Sequence, residues 1–159
     1  MGADSLRKII GTTYEVTPVV DTNIYASGDR LGSILTLTDF FQKYNRSAEI
    51  TGLSLLDKAK QKSVLQVLFF DELPTVASAD NATLDITDAE MADKCLGYLP
   101  VAAADYKDLS ASSIATVLPA SPLLVTAKTT SLYAIILSGG TPTYTSASDL
   151  VLRLHVRQL

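Results

Sequence analysis

The chain contains one histidine and one cysteine, two side chain types that often act as general base or nucleophile in enzymes. His155 lies between Arg153 and Arg157 on the polar side of an alternating run, and no motif places an acid or a nucleophile beside it. Because a catalytic histidine needs an oriented partner group, we interpret His155 as a surface histidine. Cys95 follows a short predicted helix without a reactive-cysteine motif, and we interpret it as a small buried apolar residue.

Other candidate motifs lack residues that their chemistry requires. The Gly-Gly-Thr sequence at 139–141 has neither the lysine nor the spacing of a phosphate-binding loop, and it predicts a turn. In the acidic stretch 80–88, Ala82 and Leu84 stand where an EF-hand needs oxygen ligands. We expect a loop that leads into a helix cap there, with an irregular calcium site as the alternative. The sequence therefore predicts a non-enzymatic protein with no catalytic, cofactor-binding or metal-binding residues.

The dominant pattern is an alternation of apolar and polar residues in short runs separated by turn residues. In the last run one set of alternate residues is apolar and the other is mostly charged: Leu150, Leu152, Leu154 and Val156 against Val151, Arg153, His155 and Arg157. Successive side chains of a strand point to opposite faces, so this run predicts a half-buried strand. Further strands are expected at 16–20, 35–38, 53–55, 65–70, 96–102, 114–118, 123–127 and 132–138. We therefore predict an all-β fold, an antiparallel and jelly-roll-like β-sandwich, as a single domain over residues 16–159.

One helix and one exposed loop are predicted between these strands. The sequence Thr87-Asp88-Ala89-Glu90 matches a capping box and predicts a short helix near residues 88–95 that ends before Gly97. The polar run 58–62, which contains three lysines, predicts an exposed hairpin loop between two apolar runs. Contact of these lysines with an acidic partner is the alternative.

Residues 1–15 precede the alternating region and are predicted to form an N-terminal arm. An apolar arm on a single-domain protein either covers its own core or docks on a neighbour. The candidate partner-binding residues of this arm are Leu6, Arg7, Lys8, Ile9, Ile10 and Tyr14.

Length and composition limit the classes of protein to consider. With 159 residues the chain fits one domain, and its 47% apolar and 19% charged residues are typical of a globular protein. The net charge of −4 argues against nucleic-acid binding. No apolar run approaches the roughly 18 residues of a membrane span, and the first residues lack the pattern of a secretory signal. We therefore expect synthesis in a cytoplasm and no membrane partner.

Several segments carry a family resemblance through their order along the chain. They are Val19-Val20-Asp21-Thr22, Tyr25-Ala26-Ser27-Gly28-Asp29-Arg30-Leu31-Gly32, Asp57-Lys58-Ala59-Lys60-Gln61, Leu68-Phe69-Phe70-Asp71 with Pro74-Thr75, Asp80-Asn81-Ala82 with Leu84-Asp85-Ile86-Thr87-Asp88-Ala89, and Gly140-Thr141-Pro142-Thr143-Tyr144 with Ser148-Asp149-Leu150. Together they resemble a group of small virion structural proteins of tailed bacteriophages, over residues 16–158.

The resemblance implies a structural role without catalytic residues. We expect a capsid decoration (cement) protein that binds the major capsid protein on the outer surface of a phage head and stabilises it, as a homotrimer at local three-fold positions. Its location would be the virion, after synthesis in the host bacterial cytoplasm. The alternative is a head-fibre, tail or baseplate module that contacts host-surface glycans through Tyr25, Tyr106 and Tyr144. An enzyme on a jelly-roll scaffold is a third hypothesis, and it would require a pocket with paired carboxylates.

Overall fold

Two antiparallel sheets face each other in the computed structural model, which describes residues 11–41, 47–126 and 128–159. Within these ranges the strands are β1 (Gly11–Val16), β2 (Arg30–Leu37), β3 (Ser47–Asp57), β4 (Leu65–Phe70), β5 (Cys95–Val101), β6 (Tyr106–Asp108), β7 (Ser113–Val117), β8 (Leu123–Thr126), β9 (Leu132–Ser138) and β10 (Leu150–Gln158). Helix α1 (Asp88–Lys94) and a 3-10 turn at Ala103–Asp105 complete the described elements.

The two sheets divide the strands in the manner of a jelly roll. The large sheet has the order β1-β10-β3-β7-β6, and β8 pairs with β3 next to β7. The small sheet has the order β2-β9-β4-β5. All the pairings are antiparallel, and the chain crosses from one sheet to the other several times. The predicted all-β, antiparallel β-sandwich is thereby confirmed.

The core between the sheets is built from the apolar half of each alternating strand. On β10 the side chains of Leu150, Leu152 and Leu154 are fully buried, as the alternation in the last run predicts. This strand pairs with β1 on one side and β3 on the other. Burial of each such leucine stabilises the fold by about 1.5–3 kcal/mol relative to an exposed position. This interior strand of the large sheet therefore contributes strongly to stability.

The outward side of the small sheet is covered by other parts of the chain. Leu68, Phe70 and Ile135 form a second buried cluster, which packs against apolar side chains from the connection between β4 and β5, among them Leu84 and Met91. This covering explains why the run that forms β4 is apolar on both faces.

Helix α1 lies in that covering segment and begins with only half of the predicted capping box. The side-chain oxygen of Thr87 accepts a hydrogen bond from the amide of Glu90 at 3.2 Å, as predicted. The Glu90 carboxylate accepts instead from the amide of Thr75 at 2.9 Å and pairs with Lys94 at 2.7 Å. Glu90 therefore connects the helix to the loop before it.

The first strand differs from the prediction. It occupies residues 11–16, whereas the predicted strand covers 16–20. Residues 17–20 are irregular. Pro18 lacks the N–H that a ladder requires, which disfavours a strand over 16–20. Residues 11–15, assigned above to the arm, are instead hydrogen-bonded along β10.

The loop after β3 also differs from the prediction of a hairpin. Residues 58–62 join β3 of the large sheet to β4 of the small sheet, so the chain crosses between layers at this point. The buried Asp57 carboxylate accepts from the amides of Ala59 at 3.0 Å and Lys62 at 2.8 Å. These two bonds shape the crossing.

Candidate functional site

Buried carboxylates at other loops have the same structural role. Asp29 accepts a hydrogen bond from the amide of Ala26 at 2.7 Å. Asp149 accepts from the amides of Thr145 and Ser146 at 2.8 and 2.9 Å. Carboxylates that accept backbone N–H groups in this way fix turns. We therefore assign them to the fold.

The acidic stretch 80–88 is likewise tied to the fold. One oxygen of Asp80 accepts from the amide of Gly32 at 2.6 Å and from the hydroxyl of Tyr25 at 2.8 Å. In the described ranges, no three His, Cys, Asp or Glu side chains are grouped so that they could hold a metal ion.

The three tyrosines considered for glycan contact are packing residues. Tyr25 and Tyr144 are buried, with their rings 6.1 Å apart in an edge-to-face arrangement. Tyr106 is partly buried, and its hydroxyl donates to the carbonyl of Ser63 at 2.8 Å. Burial raises the pKa of all three hydroxyls well above the ordinary value. Their expected role in stacking on sugars is therefore wrong for Tyr25 and Tyr144, and Tyr106 is engaged within the fold.

The predicted arm residues divide into two groups. Tyr14 lies in β1, where its ring centroid is 4.9 Å from that of Phe40 and its hydroxyl donates to the carbonyl of Thr38 at 3.1 Å. Burial, together with the nearby Asp39 carboxylate, raises the pKa of Tyr14. This residue is therefore partly engaged within its own domain. The other five candidates, Leu6, Arg7, Lys8, Ile9 and Ile10, lie outside the described residues.

The outward face of the large sheet carries an unusual number of apolar side chains. The strand register places Lys107, Ile114, Leu56 and Val151 in one row across β6, β7, β3 and β10. An antiparallel sheet that faces water normally presents polar residues on its outer side. Three apolar residues in one row therefore indicate a face that contacts something other than water. We call the outward side of this sheet the outer face.

A shallow groove of about 260 Å³ runs over the outer face. Its lining combines apolar and polar side chains: Thr13, Ser54, Leu56, Ile114, Val151, Arg153 and His155. The apolar residues lie at one end, and the polar residues come from the next rows along β3 and β10 and, for Thr13, from β1. The groove is thus suited to a ligand with both an apolar and a polar part.

His155 and Ser54 form a hydrogen-bonded pair in this groove, with the ring Nε2 3.0 Å from the serine Oγ. His155 lies on the outward side of its strand, as predicted, and is half-buried there. Nucleophilic catalysis would also need donors for an oxyanion. Because β3 is paired on both sides, with β10 and β7, its backbone amides near Ser54 are used in the ladder. The β3 amides beside Ser54 are therefore engaged in the sheet and do not point to a bound oxyanion.

Two exposed leucines extend the apolar character towards the opposite end of the outer face. The side chains of Leu118 and Leu124 are 74% and 55% exposed. Leu118 lies across Gly52, where an added Cβ would be 2.8 Å from the leucine Cδ2. Leu124 stands opposite Glu49 in the register of β8 and β3. Two of these outward positions thus expose large apolar side chains to solvent.

Two ion pairs lie on the same face, and the second of them shares a row with Leu124. Arg153 pairs with Glu15 at 2.8 Å across β10 and β1, and Arg157 pairs with Glu49 across β10 and β3. These residues belong to the charged half of the last alternating run or stand opposite it. The charged positions were visible in the sequence, whereas the groove was missed. The available signal was Val151, an apolar residue on the charged side of that run.

The remaining sequence-level candidates stay apart from this face. Cys95 begins β5 and packs, half-buried, against the cluster that covers the small sheet. The Gly-Gly pair at 139–140 follows β9 directly and forms the predicted break.

Comparison with known proteins adds no family: no family model matches the chain, and no curated protein matches it significantly. Among the described residues, no helix has both the length and the apolar character needed to cross a membrane.

Proposed function

We propose that this chain is a non-enzymatic virion structural protein, a decoration protein that binds the major capsid protein on the outside of a phage head. The observation that carries the proposal is the outer face, where apolar side chains point away from the core on a sheet that no described segment covers. Leu118 and Leu124 are exposed there, and the three apolar side chains of the groove are half-buried. Exposed apolar patches of this kind mark protein interaction sites. The resemblance to small virion proteins supplies the kind of partner.

Decoration would stabilise a shell by adding buried area between subunits that the protein spans. Stable protein contacts bury roughly 1,200–2,000 Å² in total. One face of a domain with a total accessible surface of 8239 Å² can supply half of such a contact. A homotrimer at local three-fold positions would multiply the contact and join several shell subunits.

The first ten residues are the second proposed contact, because the strand that follows them lies at the edge of the large sheet. Gly11 begins β1 and stands opposite Arg157, a residue of the outer face. Leu6, Ile9 and Ile10 give this segment apolar side chains for a neighbour.

The proposal is tested by locating the chain in a density map of the intact particle. Hundreds of copies on the head surface would support decoration, whereas a few to some tens of copies on a fibre, tail or baseplate would replace it with the alternative. Absence of the chain from purified particles would refute both virion roles. The map would also give the symmetry and therefore test the trimer.

A further inference from the structure

We propose that the outer face binds an extended segment of the partner protein that is apolar at both ends and acidic in the middle. This inference rests on the proposed function, since it specifies the contact that decoration would use. Its first support is the contrast between the two sheets. The outward side of the small sheet is covered by the chain between β4 and β5, whereas the outer face carries Leu56, Ile114 and Val151 with no described segment above them.

The positions of the apolar residues define the length of the bound segment. Leu56 lies at one end of the outward-facing part of β3, and Glu49, opposite Leu124, lies at the other. Because the bulge at Thr51 makes β3 one residue longer than β10 between these rows, the distance is counted on β10. The six steps from Val151 to Arg157 span roughly 20 Å at about 3.3 Å per residue. An extended segment of about seven residues covers that distance, with one apolar side chain near Ile114 and another near Leu124.

The charges of the outer face determine the sign of charge expected of the partner. Arg153 and Glu15 lie between the two apolar ends, whereas Lys107 and the Arg157–Glu49 pair share the rows of the ends. The residues that the register places on the outer face include the cations Lys107, Arg153 and Arg157 against the carboxylates Glu15 and Glu49. The whole chain has a net charge of −4, so this face is positive relative to the rest of the protein. Charge complementarity therefore favours an acidic segment.

The arginines can take part although each has an internal partner. The side chains of Arg153 and Glu15 are 56% and 54% exposed. Exposed ion pairs contribute little to stability, so a carboxylate from outside can share or replace Glu15. His155 and Ser54 lie beside Arg153 and offer a further hydrogen-bonding pair. The polar middle of the face is thus equipped to hold a carboxylate.

The same reasoning decides against the chain's own first ten residues as the occupant. They contain Arg7 and Lys8 against Asp4, so they have the same sign of charge as the face. A foreign acidic segment is favoured by charge, and the chain's own segment is disfavoured.

The inference can be tested on the purified full chain with two synthetic peptides of seven residues. Both have leucine at the first and last positions and threonine at the second, fourth and sixth; one has glutamate at the third and fifth positions, and the other has lysine there. In an NMR titration the glutamate peptide should perturb Leu56, Ile114 and His155. It should bind at least about ten-fold more tightly than the lysine peptide, a difference that titration resolves.

Two variants and a control test where the peptide binds. I114E should abolish binding of the glutamate peptide, and R153A should weaken it several-fold. The matched control is Y98E on β5, because Tyr98 is also exposed on an outward sheet face but on the small sheet. Thermal unfolding of each variant shows whether it is folded. If I114E does not fold, R153A still tests the site. Equal binding of the two peptides, unchanged binding by R153A, or perturbation of residues 1–10 or of the small sheet would overturn the inference.

Binding of the wild type and of I114E to purified phage particles distinguishes this inference from the proposed function. If the wild-type chain binds particles and I114E does not, both are supported. If I114E binds as well as the wild type, the outer face is not the contact, but decoration stands. If the wild type does not associate with particles, decoration is refuted, and the peptide titration alone decides whether the face binds acidic segments.

Discussion

Asp149 shows how a charged side chain of this protein belongs to the fold. Its carboxylate accepts from both the amide and the hydroxyl of Thr145, at 2.8 and 2.9 Å, and from the amide of Ser146. The sequence predicts only an aspartate near a strand end, a position that is usually solvated. Which amides turn towards it depends on loop geometry, and alternation does not encode that geometry. Structural aspartates were therefore harder to predict than buried leucines.

Removal of this carboxylate should destabilise the protein. D149A leaves the amides of Thr145 and Ser146 without their acceptor, and we expect a loss of about 1–3 kcal/mol in the free energy of unfolding. Urea denaturation at pH 7 measures it. D93A is the control, since Asp93 is exposed on α1, and it should stay within about 0.5 kcal/mol of the wild type. Equal stability of D149A and D93A would contradict the structural role of Asp149.

The same residue should make part of the stability depend on pH. Burial alone would raise the pKa of Asp149, but the hydrogen bonds from Ser146 and Thr145 outweigh it and hold the pKa below its usual value. The unfolded chain therefore takes up the proton first as pH falls. The contribution of Asp149 to the free energy of unfolding is fully present above the pKa of about 3.9 that an aspartate has in the unfolded chain. It is lost as pH falls through the lower pKa of Asp149 in the folded protein.

We therefore expect the stability difference between wild type and D149A to be constant from about pH 7 to pH 5 and to shrink below about pH 4. Urea denaturation across this range measures the difference at each pH. A difference that grows on acidification would contradict the direction of this pKa shift.

At the scale of elements, most strands were predictable, whereas the position of β1, the short strand β6 and the connections were not. The limits of β9, Leu132–Ser138, match the predicted run, because alternation and turn residues mark both ends. The polar run 58–62 predicts a hairpin loop, whereas the loop crosses between the two sheets. A polar link between two apolar runs has the same pattern in both cases. The difference lies in which sheet the second strand joins, and that depends on contacts far apart in the chain.

Gly32 gives a prediction for the start of β2. Its φ is +72°, and an added Cβ would lie 2.7 Å from the carbonyl oxygen of Val19. Gly28 has a φ of +95° with nothing within 4 Å of the added Cβ. G28A should therefore cost about 1–2 kcal/mol for backbone strain alone. G32A adds a steric clash with the backbone and should cost about 1–3 kcal/mol more. Chemical denaturation of both variants measures the difference, and equal losses would show that the contact with Val19 is not rigid.

At the scale of the whole molecule, the outward sides of the two sheets differ in whether the chain itself covers them. Both sheets carry apolar residues on their outward sides, but only the small sheet is covered by a described segment. The sequence could show that β4 is apolar on both faces and that Val151 interrupts a charged row. It could not show which of these residues the chain itself would bury, because the covering segment and the sheet are far apart in sequence.

This asymmetry predicts that the exposed leucines of the outer face contribute little to stability. L124K should leave the free energy of unfolding within about 0.5 kcal/mol of the wild type, since Leu124 is 55% exposed. L154A removes a fully buried side chain of β10 and should cost about 2–5 kcal/mol. Urea denaturation compares the two. A large loss in L124K would mean that Leu124 supports the fold and is not held available for a partner.

The boundary between arm and domain gives the last prediction. Residues 11–16 pair with β10 along their whole length, and Tyr14 and Val16 pack against the core. Deletion of residues 1–10 should therefore leave the free energy of unfolding within about 0.5 kcal/mol of the wild type. Deletion of residues 1–16 uncovers the edge of β10 and removes the Tyr14 contact with Phe40, and it should cost about 3 kcal/mol or more, the scale of losing a buried aromatic side chain.

Urea denaturation of the two truncated chains measures these losses, and particle binding by the shorter deletion then isolates the arm. A chain that lacks residues 1–10 and keeps full stability but no longer binds particles would support the arm as a contact in its own right. Undiminished binding would leave the outer face as the surface that decoration uses. A large loss of stability in the shorter deletion would instead show that the first ten residues belong to the domain, because removing a segment that makes no contact with the domain changes its free energy of unfolding little.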